Sequence, residues 1–295
     1  MNKTVLVVDD NRLILEFMVR VISDQGYTVT TATDGFEALD RLSDLVPDVI
    51  FVDLIMPKIQ GDTLCRIIRK MPHLDSSYLV VISAAAAEMD IEFDILGANA
   101  CIAKGAFNTM ARNIHQVLEE AALEDLSRGT PTPKMLGLED LQPREMTKEL
   151  LSRNRHLAGI LENISDGIVE TFSGRVVYAN AAAQYLLAAS IETISGATFA
   201  SLFGPDDQES IARLLEADDG PGSSSAGAVT VTLGRRSVVV RKLSISADSD
   251  TTALLITDVT EKREAEKALQ AAQRRIEALE ASQSTASPAA NAGDE

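Results

Sequence analysis

Two adjacent aspartates, Asp9 and Asp10, end the apolar run TVLVV. Three later apolar runs also stop on a side chain capable of chemistry: PDVIFVD on Asp53, YLVVIS on Ser83 and ACIAK on Lys104. Neighbouring carboxylates repel each other, more so as water is excluded, so the first pair calls for a cation nearby or for full solvation. Taken alone, VVDDN reads either as part of a site or as a solvated strand end beginning a turn, since Asp and Asn suit turns and helix caps. The later runs widen the view. Short apolar runs bounded by polar residues read as strands covered on both faces, as in a parallel sheet. In such a sheet every carboxyl end lies on one edge, where open α/β sheets bind ligands. Asp9, Asp10, Asp53, Ser83 and Lys104 can therefore converge on one cleft; a purely structural account needs five such residues at strand ends by chance.

Three carboxylates outnumber one lysine, which leaves room for a hard divalent cation held by oxygen ligands. Magnesium fits, because it favours one or two carboxylates, retained waters and phosphate oxygens. With that charge offset, one aspartate can attack a phosphoryl group as nucleophile. Ser83 can then donate a hydrogen bond to the new phosphoryl oxygens.

The elements that must position these groups are legible from Thr4 to about Glu124. The strand-like runs TVLVV, YTVTTA, PDVIFVD, YLVVIS and ACIAK alternate with NRLILEFMVRVISDQ, GFEALDRLSDLV, DTLCRIIRKM, AAEMDIEFDILG and NTMARNIHQVLEEAALEDL, which have helical spacing of apolar residues. This predicts a five-stranded parallel sheet with helices on both faces. SRGTPTPKMLG, residues 127–137, breaks the pattern with prolines and glycines and reads as linker. Beyond it Met146, Leu150, Leu157, Ile160 and Ile164 form a heptad stripe interrupted by Arg153; a face packed on the adjoining domain would look the same.

From Asn163 to about Thr260 the pattern changes. DGIVETF and GRVVYAN flank a Ser173-Gly174 turn, AAAQYLL and DDQESIARLLEA are helical, and AGAVTVTL, RSVVVRKLSI and TALLITDV are strand-like. An antiparallel sheet with helices grouped on one side is predicted, with DDGPGSSSAG, residues 218–227, as a mobile loop. A helix follows in which Ala265, Leu269, Ala272, Ile276 and Leu279 again keep a heptad. The tail, low in large apolar residues, is expected to be disordered.

A chain of 295 residues with a formal charge of -17 has room for two domains. It offers no clustered basic surface for nucleic acid or an anionic membrane. No stretch reads as a bilayer span or leader, so a cytoplasmic location is expected. Cys65 and Cys101 form neither a disulfide framework nor a zinc spacing. His73, His115 and His156 are scattered and read as surface or packing residues.

Residues 1 to about 124 resemble the receiver domain of bacterial two-component response regulators. The resemblance rests on VLVVDD, VDLIMPKIQG, VISA and CIAKGAF, in family order. It implies a flavodoxin-like doubly wound fold with Asp53 phosphorylated by a histidine kinase. By the same resemblance Asp9, Asp10, Asp53 and the Ile55 main-chain carbonyl hold Mg2+, while Ser83 and Lys104 contact the phosphoryl group. Two departures stand out: Cys101 occupies the place of the family's aromatic switch residue, and Gly105 follows Lys104 where proline is usual. The usual swing of a ring toward Ser83 is therefore unavailable. Some other element near the fourth and fifth strands is expected to report the charge.

Residues from about 155 to 260 resemble a PAS domain, through ILENISDGIVETFSGRVVYANAAAQYLL, GATFASLFGPDD and the exit ITDVTEKREAEKAL. Members of that family bind haem, flavin or small metabolites, or nothing. The absence of Cys from the domain removes covalent flavin photochemistry, and DDQESIARLLEA has no His for haem.

The expected organisation is a receiver (1–124), a linker (125–142), a connecting helix (143–164), an α+β PAS domain (155–260), a C-terminal helix able to form a short coiled coil (261–281) and a tail (282–295). The expected function is phosphorylation-dependent signalling with no DNA-binding output and no enzymatic activity beyond the receiver's own phosphotransfer and dephosphorylation. The expected partners are the kinase, a second copy of the chain held through the PAS domain and its flanking helices, and a downstream protein. Two alternatives remain: a PAS-based sensor of a small ligand with the receiver as phosphate sink, and a relay intermediate that passes its phosphate on.

Overall fold

The computed structural model describes residues 3–84, 96–123, 134–137, 145–217, 227–243 and 250–285. The first domain is a parallel sheet of β1 (Thr4–Val8), β2 (Thr28–Ala32), β3 (Val49–Asp53), β4 (Tyr78–Ser83), β5 (Ala100–Ala103) and β6 (Lys134–Leu136), in the order β2-β1-β3-β4-β5-β6. Its described helices are α1 (Arg12–Ser23), α2 (Gly35–Leu42), α3 (Gly61–Arg69) and α4 (Phe107–Leu123).

Because side chains alternate across a strand, the continuous apolar runs feed two cores at once. Leu6, Val8, Ile50 and Val52 pack against Phe36 and Leu42 of α2 and against Leu64 and Ile68 of α3. Val5, Val7, Val49 and Phe51 pack on the other face against Met18 and Ile22 of α1 and Ile114 and Val117 of α4. Each such side chain, fully buried, contributes about 1.5–3 kcal/mol. Both faces of the sheet are thereby closed, which leaves its carboxyl edge as the place for chemistry.

The sixth strand departs from the expected five. β6 comes from the stretch read as linker and pairs in parallel with β5, Cys101 opposite Met135 and Ile102 opposite Leu136. An unpaired edge strand presents a row of open backbone groups, and three residues between proline-rich and glycine-rich segments suffice to cover it. Lys134 adds an ion pair to Glu120 at 3.1 Å. The predicted helix at residues 86–97 falls mostly outside the described residues.

The second domain is a five-stranded antiparallel sheet of β7 (Gly167–Phe172), β8 (Arg175–Ala179), β9 (Ala228–Leu233), β10 (Arg236–Leu243) and β11 (Thr251–Asp258), ordered β8-β7-β11-β10-β9. The β7–β8 hairpin turns on Ser173 and Gly174, at φ 48° and 76°, the pair of positive values that a type I′ turn requires. One face of this sheet, through Val169, Val176, Val238, Val240, Leu254 and Ile256, is covered by residues such as Leu186, Phe199, Phe203 and Ile211. These lie on or beside α6 (Ala181–Leu187), α7 (Ile191–Ile194) and α8 (Pro205–Glu216). Asn180 fixes the entry to α6, its Oδ1 accepting from Ala183 N at 2.9 Å and from Ile168 N at 2.8 Å.

Two further helices flank this domain: α5 (Glu145–Glu162) before it and α9 (Thr260–Thr285) after it, the latter running past the expected end of the C-terminal helix. Asp258, the last residue of β11, leads into α9, its Oδ1 accepting from Thr260 N at 2.9 Å; that side-chain turn gives a local reason for the Asp-Val-Thr sequence at the exit. Of the two heptad stripes, Leu150, Leu157, Ile160, Leu269 and Ile276 are 49–61 % exposed, so one copy of the chain leaves them uncovered. The side chains of Met146 and Leu279, residues 218–226 of the expected mobile loop and residues 286–295 of the tail lie outside the description. No helix among the described residues is long and apolar enough to cross a membrane.

Candidate phosphoryl-transfer site

The first-domain topology delivers the five predicted residues to one edge. Asp9 directly follows β1, Asp53 ends β3, Ser83 ends β4 and Lys104 directly follows β5, with Asp53 opposite Ile82 and Ser83 opposite Ala103 in the ladder. The Lys104 N–H donates to the Ser83 carbonyl at 2.9 Å, so the ladder continues to the lysine itself.

Lys104 Nζ lies 2.7 Å from Asp9 Oδ2 and 2.7 Å from Asp53 Oδ2. Carboxylate oxygens of Asp9, Asp10 and Asp53 lie within 4.8 Å of one another. Asp9, Asp53 and Ser83 are buried, and Asp10 is exposed at the rim. Asp9 Oδ1 also accepts from Asn11 N at 2.9 Å, which orients its carboxylate. Burial pushes the Asp53 carboxyl up to about 6, against the pull of Lys104 and of the Ile55 N–H and with added repulsion from Asp9. One ammonium does not balance this cluster. The donor set suits a hard divalent cation, all oxygen and rich in charge.

Asp53 is placed by close backbone packing. A Cβ on Gly61 would stand 1.9 Å from the Asp53 carbonyl oxygen, so only glycine fits there, and the Gly61 N–H donates to the Leu54 carbonyl at 3.0 Å. Between them the loop 54–60 buries Ile59 and holds Lys58 at φ 68°. For a residue with a side chain such a conformation costs on the order of 1–3 kcal/mol and persists only where the surroundings fix it. Here Lys58 Nζ is paired with Asp34 Oδ2 and sits 4.7 Å from the centre of the Phe172 ring. The sequence carried no sign of this arrangement, because Asp34, Lys58 and Phe172 come from three distant segments. The Gly61 constraint had one visible trace, a glycine shortly after the acid-tipped run.

Cys101 is buried in β5, where burial pushes its thiol up to about 12, an inert packing group. Gly105 is exposed with open space where a side chain would be. His73 contacts the Leu42 carbonyl at 3.1 Å in the turn Pro72–Leu74, while His115 and His156 lie in α4 and α5.

Residues 5–119 match the family described as response regulator receiver domain, and residues 161–264 match the PAS fold. Among curated relatives, "Response regulator MprA" of Mycobacterium sp. (strain KMS) is 43% identical over 65 residues, 22% of this chain and 28% of that protein. MprA of Mycobacterium tuberculosis (strain ATCC 25618 / H37Rv) is 42% identical over 69 residues, 23% of this chain and 30% of the relative. The chain thus spans less than a third of the length of these curated relatives. Among solved structures, chemotaxis response regulator CheY4 of Vibrio cholerae is 27% identical, covers 40% of this chain and 99% of its own, and gives a TM-score of 0.37. A CheY-like receiver domain protein from Methanospirillum hungatei JF-1 is 22% identical, with 42% and 100% covered and a TM-score of 0.37.

Proposed function

We propose that this chain, a response regulator receiver domain followed by a PAS domain, takes a phosphoryl group from a histidine kinase onto Asp53 and conveys that state to the PAS module. The observation that carries the reading is Lys104 bonded at once to Asp9 and Asp53, in a cluster whose three acids outnumber this one cation. Asp9, Asp10, Asp53 and the Ile55 carbonyl would hold Mg2+, which supplies positive charge against the incoming phosphoryl oxygens.

The Asp53 carboxylate attacks phosphorus as the P–N bond of the donor's phosphohistidine breaks, leaving an acyl phosphate on Asp53. Lys104, held to within 2.7 Å of Asp53 before the reaction, is in place to receive a phosphoryl oxygen without rearrangement. Such preorganisation is where electrostatic stabilisation is strongest. Ser83 donates its hydroxyl proton to a second oxygen. The chain's own chemistry is this transfer and the later hydrolysis of the acyl phosphate, in which water takes the phosphoryl group and frees the Asp53 carboxylate. Its output is a change in protein contacts in the cytoplasm, with no contact to DNA.

The same proposal includes a homodimer held by the PAS domain and its flanking helices, supported by the uncovered apolar residues of α5 and α9. The phosphorylation test uses a small phosphodonor with the full chain. Asp53 acquires label with Mg2+ and not in chelator, and Asp53→Asn removes it. Equal labelling of that variant would overturn the assignment.

A further inference from the structure

The PAS domain sits on the receiver through the segment that follows Asp53. Phe172, at the end of β7, meets Lys58 of the loop 54–60 and the ring of Phe36 in α2, 6.4 Å between ring centres. Arg175, across the hairpin turn, stacks on Phe36 with its guanidinium 4.4 Å from the ring centre and pairs with Asp40 of α2 at 3.0 Å. A second patch joins Glu192 of α7 to Arg66 and Lys70 of the α3 side, at 3.3 and 3.0 Å. The charges are reciprocal, with cations on each domain meeting acids on the other.

The loop has little freedom except at this contact. Ile59 is fully buried, and a Cβ on Gly35 would meet its Cβ at 2.6 Å, so that end is pinned against α2. Gly61 is pinned against the Asp53 carbonyl. A phosphoryl group adds a charge of about −1.5 to −2 at the head of the loop, and the segment able to respond is the one ending in Lys58, whose left-handed backbone is held by Asp34 and Phe172. A cleft of about 790 Å3 opens beside Lys58 and Phe172, and Phe172 and Val177 of the hairpin pack against the edge of the receiver core.

Resting on the reading that Asp53 is phosphorylated, we infer that the contact of Phe172 and Arg175 with Lys58, Phe36 and Asp40 is the receiver's output contact, and that phosphorylation loosens it. This route uses neither Cys101 nor a residue at the fifth strand. It gives the signal a path in a chain that lacks the aromatic switch.

Coupling of two equilibria is reciprocal: if phosphorylation weakens docking, weakening the docking must favour the phosphorylated state. The full chain is titrated with beryllium fluoride and Mg2+, bound mimic being read by fluorine NMR, while hydrogen exchange follows residues 167–176. Phe172→Ala and Asp40→Arg should each bind the mimic about fivefold or more tightly than the parent. Asp40→Arg combined with Arg175→Asp should restore the parent's affinity, and the mimic should speed exchange in the parent hairpin. Affinities within about twofold of the parent in both single variants, or slower hairpin exchange on adding the mimic, would overturn the inference and leave Asp53 as acceptor. No bound fluorine signal in the parent, together with no labelling of Asp53, would overturn the phosphorylation reading and the coupling with it.

Discussion

Replacing Asp53 by asparagine should stabilise the receiver domain when divalent metal is removed, and the gain should vanish in acid. Asp9 and Asp53 are 1% and 5% exposed and share one ammonium. Burial outweighs the lysine's attraction and holds the Asp53 carboxyl at about 6, above its usual 3.8. A carboxyl raised by about two pH units has its ionised form disfavoured in the fold by on the order of 3 kcal/mol. The folded state binds this proton more tightly than the unfolded chain does. The penalty is therefore fully present above pH 6, shrinks as pH falls below that value, and is gone below about pH 3.8. Asparagine has no ionised form, and the Lys104 attraction it forgoes is already contained in that raised value, while Lys104 keeps Asp9. The net gain expected is on the order of 2–3 kcal/mol near pH 8 and close to zero below about pH 3.8. Unfolding of the full chain in chelator, with hydrogen exchange at residues 49–53 separating the receiver transition from the PAS transition, measures it. A variant no more stable than the parent near pH 8, or a gain unchanged in acid, would refute the argument that the site is overloaded with negative charge.

Lys104→Ala removes the cation common to both buried acids and should destabilise the metal-free receiver by about 3 kcal/mol, with Mg2+ restoring more stability to the variant than to the parent; denaturant titration with and without the metal checks both. Ser83→Ala should leave labelling of Asp53 in place and reduce the conformational response, read by hydrogen exchange before and after phosphodonor. Gly61→Ala puts a methyl against the Asp53 carbonyl and should cost about 1–3 kcal/mol and slow labelling, whereas Gly105→Ala, in open space, should do neither. Leu157→Glu with Ile160→Glu should give a monomer by sedimentation whose receiver still labels, and a parent already monomeric at the same concentration would reduce the stripe to an unused face.

The acid-tipped edge was legible in sequence because it follows from one rule: in a parallel sheet buried on both faces, strands read as apolar runs and their polar terminators share an edge. Asp9, Asp53, Ser83 and Lys104 need nothing beyond that rule to meet. The antiparallel sheet was legible for a related reason, since β-branched runs such as RSVVVRKLSI read as strands, and a turn such as Ser173-Gly174 announces its reversal.

What the sequence left open are the contacts made by residues that obey no local period. β6 is three residues in a stretch rich in proline and glycine, and only the open edge of β5 makes a strand of them. Lys58 is an ordinary charged residue in a loop until Asp34, Phe172 and a left-handed backbone meet at it. The pairing of Arg175 with Asp40 joins positions far apart in the chain and on different domains. The sequence by itself determined which side chains reach the sheet edge, because strand period and burial act over a few residues. The tertiary structure decided how crowded that edge is with charge and which surface the second domain rests on, because desolvation and long-range ion pairing exist only once the elements are packed.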